Sequence, residues 1–391
     1  MAVHYDQTKF PGGVHLTRRD LDKISAERPI LLRHVNGHAS VANTGVLERA
    51  KVGRDTPDPK GGVFVREGGE PNGVLLETAH EHVTAAAPSP TLEQMVEAIL
   101  AAGQRMHAKG IVEATDMMTG RYSLPLELEA YRLAAERGNP VRVKLCIQWS
   151  CLFGPRAPSL SRRDGEGVGG GVSGFSPSAQ VSIWGAKIFA DGAIGSATAA
   201  IHGTFTSDPS TSGTLIYAPD RLKKMVRTAH EAGGRVAIHS IGDRATDLVM
   251  DAFAETAEPS RHRIEHAMIL SDAQIARMHG LGLHCTMQPE FLHRFGHSYK
   301  HHLGAEKASL LKRFRSVLDA GIPLSFSSDF PIVSGDPWIG VETASNRPEG
   351  FDPAENLSFE EALWAYTAMG AVANGERNEL LPGDRAEFLV F

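Results

Sequence analysis

The sequence predicts an α/β protein built around a parallel sheet of the barrel type, preceded by an irregular lobe. Three observations carry this. From about residue 91 strand-like and helix-like segments alternate, the pattern of a parallel sheet covered by helices. The helix-like segments are each followed within a few residues by an apolar run, and seven such runs serve as candidate strands. The span from 105 to 375 matches the roughly 250 residues of a (β/α)8 barrel.

The helices are marked by their caps. Thr91-x-x-Gln94 opens a periodic apolar run (Leu92, Met95, Val96, Ile99, Leu100) that stops at Gly110, which satisfies the capping-box and glycine-stop rules. Ser271-x-x-Gln274 and Ser358-x-x-Glu361 repeat the start signal. Further helices are expected at about 125–137, 220–232 and 305–320, before Gly138, Gly233 and Gly321. The strands are expected at Ile111–Thr115, Val141–Trp149, Val181–Ala190, Arg235–His239, Arg261–His266, Leu283–Gln288 and Pro323–Asp329. Seven strands are one short of a closed barrel, so the eighth must come from earlier in the chain or be absent.

A doubly wound sheet is the rival, but no strand runs directly into Gly-x-Gly-x-x-Gly and a helix. The tract Gly165–Gly174 (GEGVGGGVSG) lies between strand-like segments and reads as a mobile surface loop. Three segments result: residues 1–90 as an inserted lobe with turn-rich stretches at Asp55–Gly62 and Gly68–Gly73, 91–375 as the barrel, and 376–391 as a final short strand.

Composition excludes several function classes. Forty Lys and Arg against 46 Asp and Glu give a net charge of −6 over 391 residues, with both signs interspersed, so a nucleic-acid partner has no electrostatic basis. No window approaches the ~18 consecutive apolar residues of a membrane span, and the start carries no apolar export segment. Cys146, Cys151 and Cys285 are an odd number without Cys-x-x-Cys spacing, which argues against a disulfide framework and fits a reducing cytoplasm. A small-molecule substrate is the expected partner.

Four chemistry-bearing side chains fall at or near strand ends: Lys187 in WGAKIFADG, His239 in RVAIHSIGDRA, His266 in RHRIEHA and Asp329 in LSFSSDFP. Parallel barrels build their active sites there, and imidazoles with a carboxylate suit zinc, which lowers the pKa of a bound water. Alternation sets Ser325, Ser327 and Asp329 on one face and Leu324 and Phe326 on the other. It likewise sets Lys187 with Gly185, opposite Trp184 and Ile188. A single strand-end histidine is more often structural than a ligand, and a lone aspartate before a proline turn is usually a cap. Lys187 is the sharpest of the four, because an amine among apolar residues is costly unless paired or chemically altered; the plain alternative is an ion pair with a neighbour such as Asp191.

These motifs resemble the amidohydrolase superfamily, in the branch that includes N-substituted formamide deformylases. The resemblance runs through LLRHVNGHASVANTGVL (31–47), GVLLETA (73–79), KIFADGAIGSATAA (187–200), HSIGDRATD (239–247), RHRIEHA (261–267), LGLHCTMQP (281–289), SSDFP (327–331) and EEALWAYTAMGA (360–371). It implies a metal-dependent TIM barrel that hydrolyses amide-like, non-peptide C–N bonds, with a small β-sandwich from the two chain ends. It implies that Lys187, often carboxylated in the family, His239, His266 and Asp329 bind one or two divalent ions, with Zn expected, and that Asp329 is the general base and acid. Asn36 and His38 match a family segment and are candidate substrate-binding residues.

Two departures qualify the match. The family's first strand carries a metal-binding His-x-His, and no such strand precedes residues 1–47, so the chain is expected to begin inside the fold. The family often has arginine where GSATA has Ala197, which leaves substrate preference open. Leu75–His82 (LLETAHEH) mimics an apolar strand ending in His-x-His, but Gly73–Ala79 already matches another family segment. His80 and His82 are therefore read as solvated or helix-start residues. The alternative to an active hydrolase is a non-catalytic or weakly active barrel fragment, its two open sheet edges inviting association into homo-oligomers.

Overall fold

The protein is described by a computed structural model covering residues 2–5, 7, 10, 14–34, 37, 39–154, 175–377 and 379. The chain separates into two compact units, 1–89 and 90–391. The glycine tract, the final apolar segment 381–391, Asn36 and His38 lie outside the described residues.

The first unit is a five-stranded sheet in the order β1-β2-β3-β5-β4, with β1 Ala2–Tyr5, β2 Leu31–His34, β3 Ala39–Ala42, β4 Gly62–Glu67 and β5 Glu70–Glu77. Only β1 and β2 run parallel. The β4–β5 hairpin turns on Gly68 (φ 60°) and Gly69 (φ 85°), a pair of positive φ angles that glycine adopts without strain and that matches the twist of the flanking strands. Helices α1 (Arg18–Asp22), α2 (Thr44–Arg49) and α3 (Thr78–Ala85) accompany the sheet. Leu31, Ala42, Leu47, Phe64 and Leu75 form its main apolar cluster.

His80 and His82 both lie in α3. His80 is not solvated: it is 2 % exposed and its Nδ1 lies 2.9 Å from the Ser40 hydroxyl. His82 is exposed.

The second unit is a seven-stranded, wholly parallel, curled sheet whose spatial order follows the chain, β6-β7-β8-β9-β10-β11-β12. Its strands are Glu113–Thr119, Arg142–Gln148, Val181–Phe189, Val236–Ser240, Arg263–His266, His284–Met287 and Leu324–Phe326. Sequential parallel order with intervening helices is the arrangement of a TIM-like barrel wall. Among the described residues β6 and β12 are its edges.

The helices of this unit are α4 Leu92–His107, α5 Leu124–Glu136, α6 Trp149–Phe153, α7 Pro219–Glu231, α8 Asp243–Ala254, α9 Asp272–Gly280, α10 Glu290–Ala308, α11 Phe314–Asp319, α12 Pro337–Ser345, α13 Phe359–Tyr366 and α14 Ala368–Ala373. Capping boxes close the starts of α4, α9 and α13 through Thr91, Ser271 and Ser358. None of the described helices is long and apolar enough to cross a membrane.

The helix expected at 305–320 is instead two pieces. Helix α10 ends at Ala308, α11 starts at Phe314, and between them Lys312 adopts a left-handed conformation (φ 50°). A non-glycine left-handed residue leaves no mark in apolar periodicity, so the pattern is continuous across this break.

The face assignment of β8 also needs correction. Trp184 packs with Cys146, Ala237 and Met117, on the face that carries Lys187, not against the outer helices. The β7–β8 register shifts between Leu145 and Cys146, which oppose Ile183 and Gly185, so Trp184 is the extra residue of a bulge. One added residue switches faces for everything before it. Along β12 the alternation is regular: the Ser325 hydroxyl meets His284 and Thr286 at 3.0 and 2.8 Å, while Phe326 packs edge-on against Phe314 and Tyr366.

Candidate active site

The C-terminal ends of β8, β9, β10 and β12 bring the strand-end residues to one side of the sheet. The register places Lys187 beside Ala237, and Phe189 beside His239, which in turn pairs with Glu265. Lys187 therefore starts about two residues below His239, a gap that a four-carbon side chain covers. Its Nζ lies 4.6 Å from the Phe189 ring centre, so the amine points toward the same end as His239.

Lys187 is 4 % exposed. Burial holds its pKa below that of an ordinary lysine, opposed by the charges of Glu265, Cys146 and Asp329. The neighbour suggested by sequence, Asp191, is committed elsewhere. It is wholly buried, and it accepts the backbone N–H groups of Ala200 (2.9 Å), Ile241 (3.0 Å) and Gly242 (2.8 Å). Those bonds tie the loop after β8 to the loop after β9, an ordering role that sequence reading missed.

His239 and His266 stand edge to face with ring centres 4.6 Å apart. Their hydrogen bonds select opposite nitrogens. His239 Nε2 lies 2.9 Å from the Gly192 carbonyl oxygen and 3.6 Å from Asp191 Oδ1, so Nε2 is the nitrogen that donates. His266 Nδ1 lies 2.8 Å from Gln288 Oε1. Burial, reinforced by His239, Lys187 and Lys312, holds the His266 pKa well below the usual imidazole value, which keeps this ring neutral and able to donate a lone pair.

Four of the seven left-handed non-glycine residues among the described ones gather here: His266 (φ 76°), Ala267 (φ 42°), Lys312 (φ 50°) and Asp329 (φ 56°). Such conformations cost on the order of 1–3 kcal/mol each and cluster where side chains must be aimed against local preference. Asp329 follows β12, and its charge reaches Lys187, Lys312 and Tyr299. Ala197 lies in a left-handed turn (φ 53°) just after a 3-10 turn at Ile194–Ser196.

The donor set suits a divalent metal in its chemistry: two imidazoles, each with one nitrogen held by a protein acceptor, a carboxylate, and a buried amine. Among the described residues no three His, Cys, Asp or Glu side chains converge on one point. All three cysteines are free thiols. Burial pushes Cys146 and Cys285 up to about 12, so neither is a nucleophile.

Sequence reading also missed Lys312. It is fully buried, and its Nζ donates to the His266 carbonyl (2.9 Å) and to Gln288 Oε1 (3.0 Å). The motif LGLHCTMQP contained Gln288, but nothing in the spacing singled it out.

Comparison with known proteins bears on this arrangement. A sequence profile described as the amidohydrolase family matches residues 1–391. The chain is 30% identical over 412 residues to the N-substituted formamide deformylase of Arthrobacter pascens, covering 100% of this chain and 72% of that protein. It is 29% identical over 401 residues to the Bacillus subtilis protein YtcJ, whose name refers to an amidohydrolase, covering 99% and 73%. Among solved structures, an uncharacterized metal-dependent hydrolase from Pyrococcus horikoshii superimposes with a TM-score of 0.76 at 27% identity, over 98% of this chain and 75% of that one.

Proposed function

Because the chain belongs to the amidohydrolase family, we propose that it hydrolyses amide-like, non-peptide C–N bonds of small molecules at the end of the sheet marked by Lys187, His239, His266 and Asp329. The observation that carries this reading is the edge-to-face pair of His239 and His266 at 4.6 Å, beside a buried lysine. The named activity of the Arthrobacter relative, deformylation of N-substituted formamides, supplies the first substrate class to try.

The metal we assign is Zn, which His239, His266 and Asp329 would hold, with Lys187 as a carbamate. When bound, such an ion acts as a Lewis acid and lowers the pKa of a water. Asp329 is the carboxylate assigned to take the proton of the attacking water and return it to the departing nitrogen. Lys187 has the burial that favours a neutral amine, the form that adds carbon dioxide. Asn36 and His38 are assigned to substrate recognition within an inserted lobe, residues 1–90.

We assign the seven strands to a (β/α)8 barrel whose remaining strand is not among them, and 376–391 to a β-sandwich strand. A cytoplasmic protein without nucleic-acid or membrane partners, associating through its open sheet edges, completes the reading. The competing reading is a non-catalytic or weakly active barrel fragment.

The test is hydrolysis of an N-substituted formamide before chelation, after chelation, and after return of Zn. The reading expects loss and recovery, with bicarbonate speeding recovery in the wild type and not in Lys187→Arg. Activity indifferent to chelation, or absent in every state, overturns it.

A further inference from the structure

The proton on His266 has a defined address, and two residues outside the assigned donor set determine it. Gln288 is 1 % exposed and Lys312 is fully buried. The amide orientation of Gln288 is settled by its partners. Its Nε2 faces the Thr286 carbonyl oxygen at 3.3 Å and the Ser327 hydroxyl at 3.0 Å, and a carbonyl only accepts. Its Oε1 receives Lys312 Nζ at 3.0 Å, a bond the amine donates whether or not burial, which holds its pKa well below that of an ordinary lysine, leaves it charged. An amide flip would set Oε1 against the Thr286 carbonyl oxygen, two acceptors face to face. With Oε1 fixed as an acceptor, His266 Nδ1, 2.8 Å away, must carry the proton.

Lys312 is itself held from several sides. Its backbone N–H donates to the Met268 carbonyl at 2.8 Å, and its own carbonyl accepts from the Arg347 guanidinium at 2.6 Å. A second arm of Arg347 reaches the Leu311 carbonyl at 2.9 Å. The Phe291 ring lies 5.6 Å from Lys312 Nζ and stacks nearly parallel to the His266 ring, 20° between planes at 6.1 Å. The strained turn at Lys312 (φ 50°) therefore delivers the amine to one spot.

We propose that Gln288 and Lys312 are positioning residues: together they hold His266 as the Nδ1-protonated tautomer, so that Nε2 presents its lone pair to the reaction centre. One oxygen serves both donors, so His266 cannot turn Nδ1 into an acceptor without breaking the Lys312 bond as well. The inference that this matters for metal binding rests on His266 being a ligand; the tautomer itself does not.

The experiment uses the metal-free full chain labelled with 15N in histidine, the His266 signals being assigned by subtraction with His266→Ala, followed by Zn titration. The wild type is expected to show His266 as a single Nδ1–H tautomer. Gln288→Met, which keeps length but removes the acceptor, is expected to give a mixture of tautomers and a 10- to 100-fold weaker Zn affinity. Gln288→Glu restores the acceptor and is expected to recover the single tautomer and an affinity within a few-fold of wild type. Lys312→Met, which removes one of the two donors to Oε1, is expected to shift in the same direction as Gln288→Met and gives the reading if that variant does not fold. A His266 that stays Nδ1-protonated in both methionine variants overturns the proposal. If the tautomers respond as expected while neither wild type nor variants bind Zn, the positioning stands and the metal assignment falls.

Discussion

Lys187 stands in the second unit with no ion pair to offset its burial among the described residues, although fields from Glu265 and Asp329 reach it. A charged amine in that position costs several kcal/mol after relaxation. Lys187→Met in the metal-free chain is therefore expected to raise the urea midpoint, by about 1–3 kcal/mol in stability, while removing activity. An unchanged or lower midpoint would mean that a partner offsets the burial of the amine. His284 gives a second prediction at this scale. Burial, with the nearby Arg263 charge, lowers its pKa from 6.5 to about 3, so the unfolded chain binds the proton more readily than the folded one. Its contribution is whole above pH 6.5 and is eroded as pH falls toward 3, with a ceiling of ~5 kcal/mol at ~1.4 kcal/mol per unit. His284→Gln should lose stability less steeply than wild type between pH 6.5 and 4, measured by thermal unfolding. Strand-end position made Lys187, His239, His266 and Asp329 legible in the sequence. Lys312 and Gln288 were not, because their importance comes from a left-handed turn and a shared oxygen, and neither has a periodic signature.

At the scale of elements, the capping boxes at Thr91, Ser271 and Ser358 fixed three helix starts to the residue, since a side chain reaching three positions along is a local rule. The bulge at Trp184 escaped because alternation assumes no extra residue. Gly185 beside it has a reason in packing: a Cβ there would lie 2.4 Å from the Arg235 carbonyl oxygen, so only glycine lets β8 approach the start of β9. Asp191 is one of the groups that join the loops after β8 and β9. Asp191→Ala would leave three buried N–H groups without their acceptor, each worth about 1–3 kcal/mol. It is expected to destabilise the chain by roughly 3–5 kcal/mol, read as a fall in urea midpoint, and to loosen His239, whose Nε2 lies 3.6 Å from the same carboxylate. A loss below 1 kcal/mol would show that water replaces those bonds.

For the molecule as a whole, the alternation of seven strands with capped helices was enough to read a parallel sheet in chain order, because that order follows from connection rules rather than from distant contacts. The first unit was harder. Its mixed sheet pairs β3 with β5 across a hairpin, and such non-local pairing leaves little trace in a single sequence. The proposed hydrolase would hold its catalytic metal at the C-terminal ends of the second unit's strands through His239 and His266. The most direct measurement is the metal-to-chain ratio, by plasma mass spectrometry, of the wild type and of the double variant His239→Ala/His266→Ala after dialysis against Zn. The account predicts a ratio of at least about one for the wild type and a fall toward zero for the variant. Equal ratios in the two would contradict it.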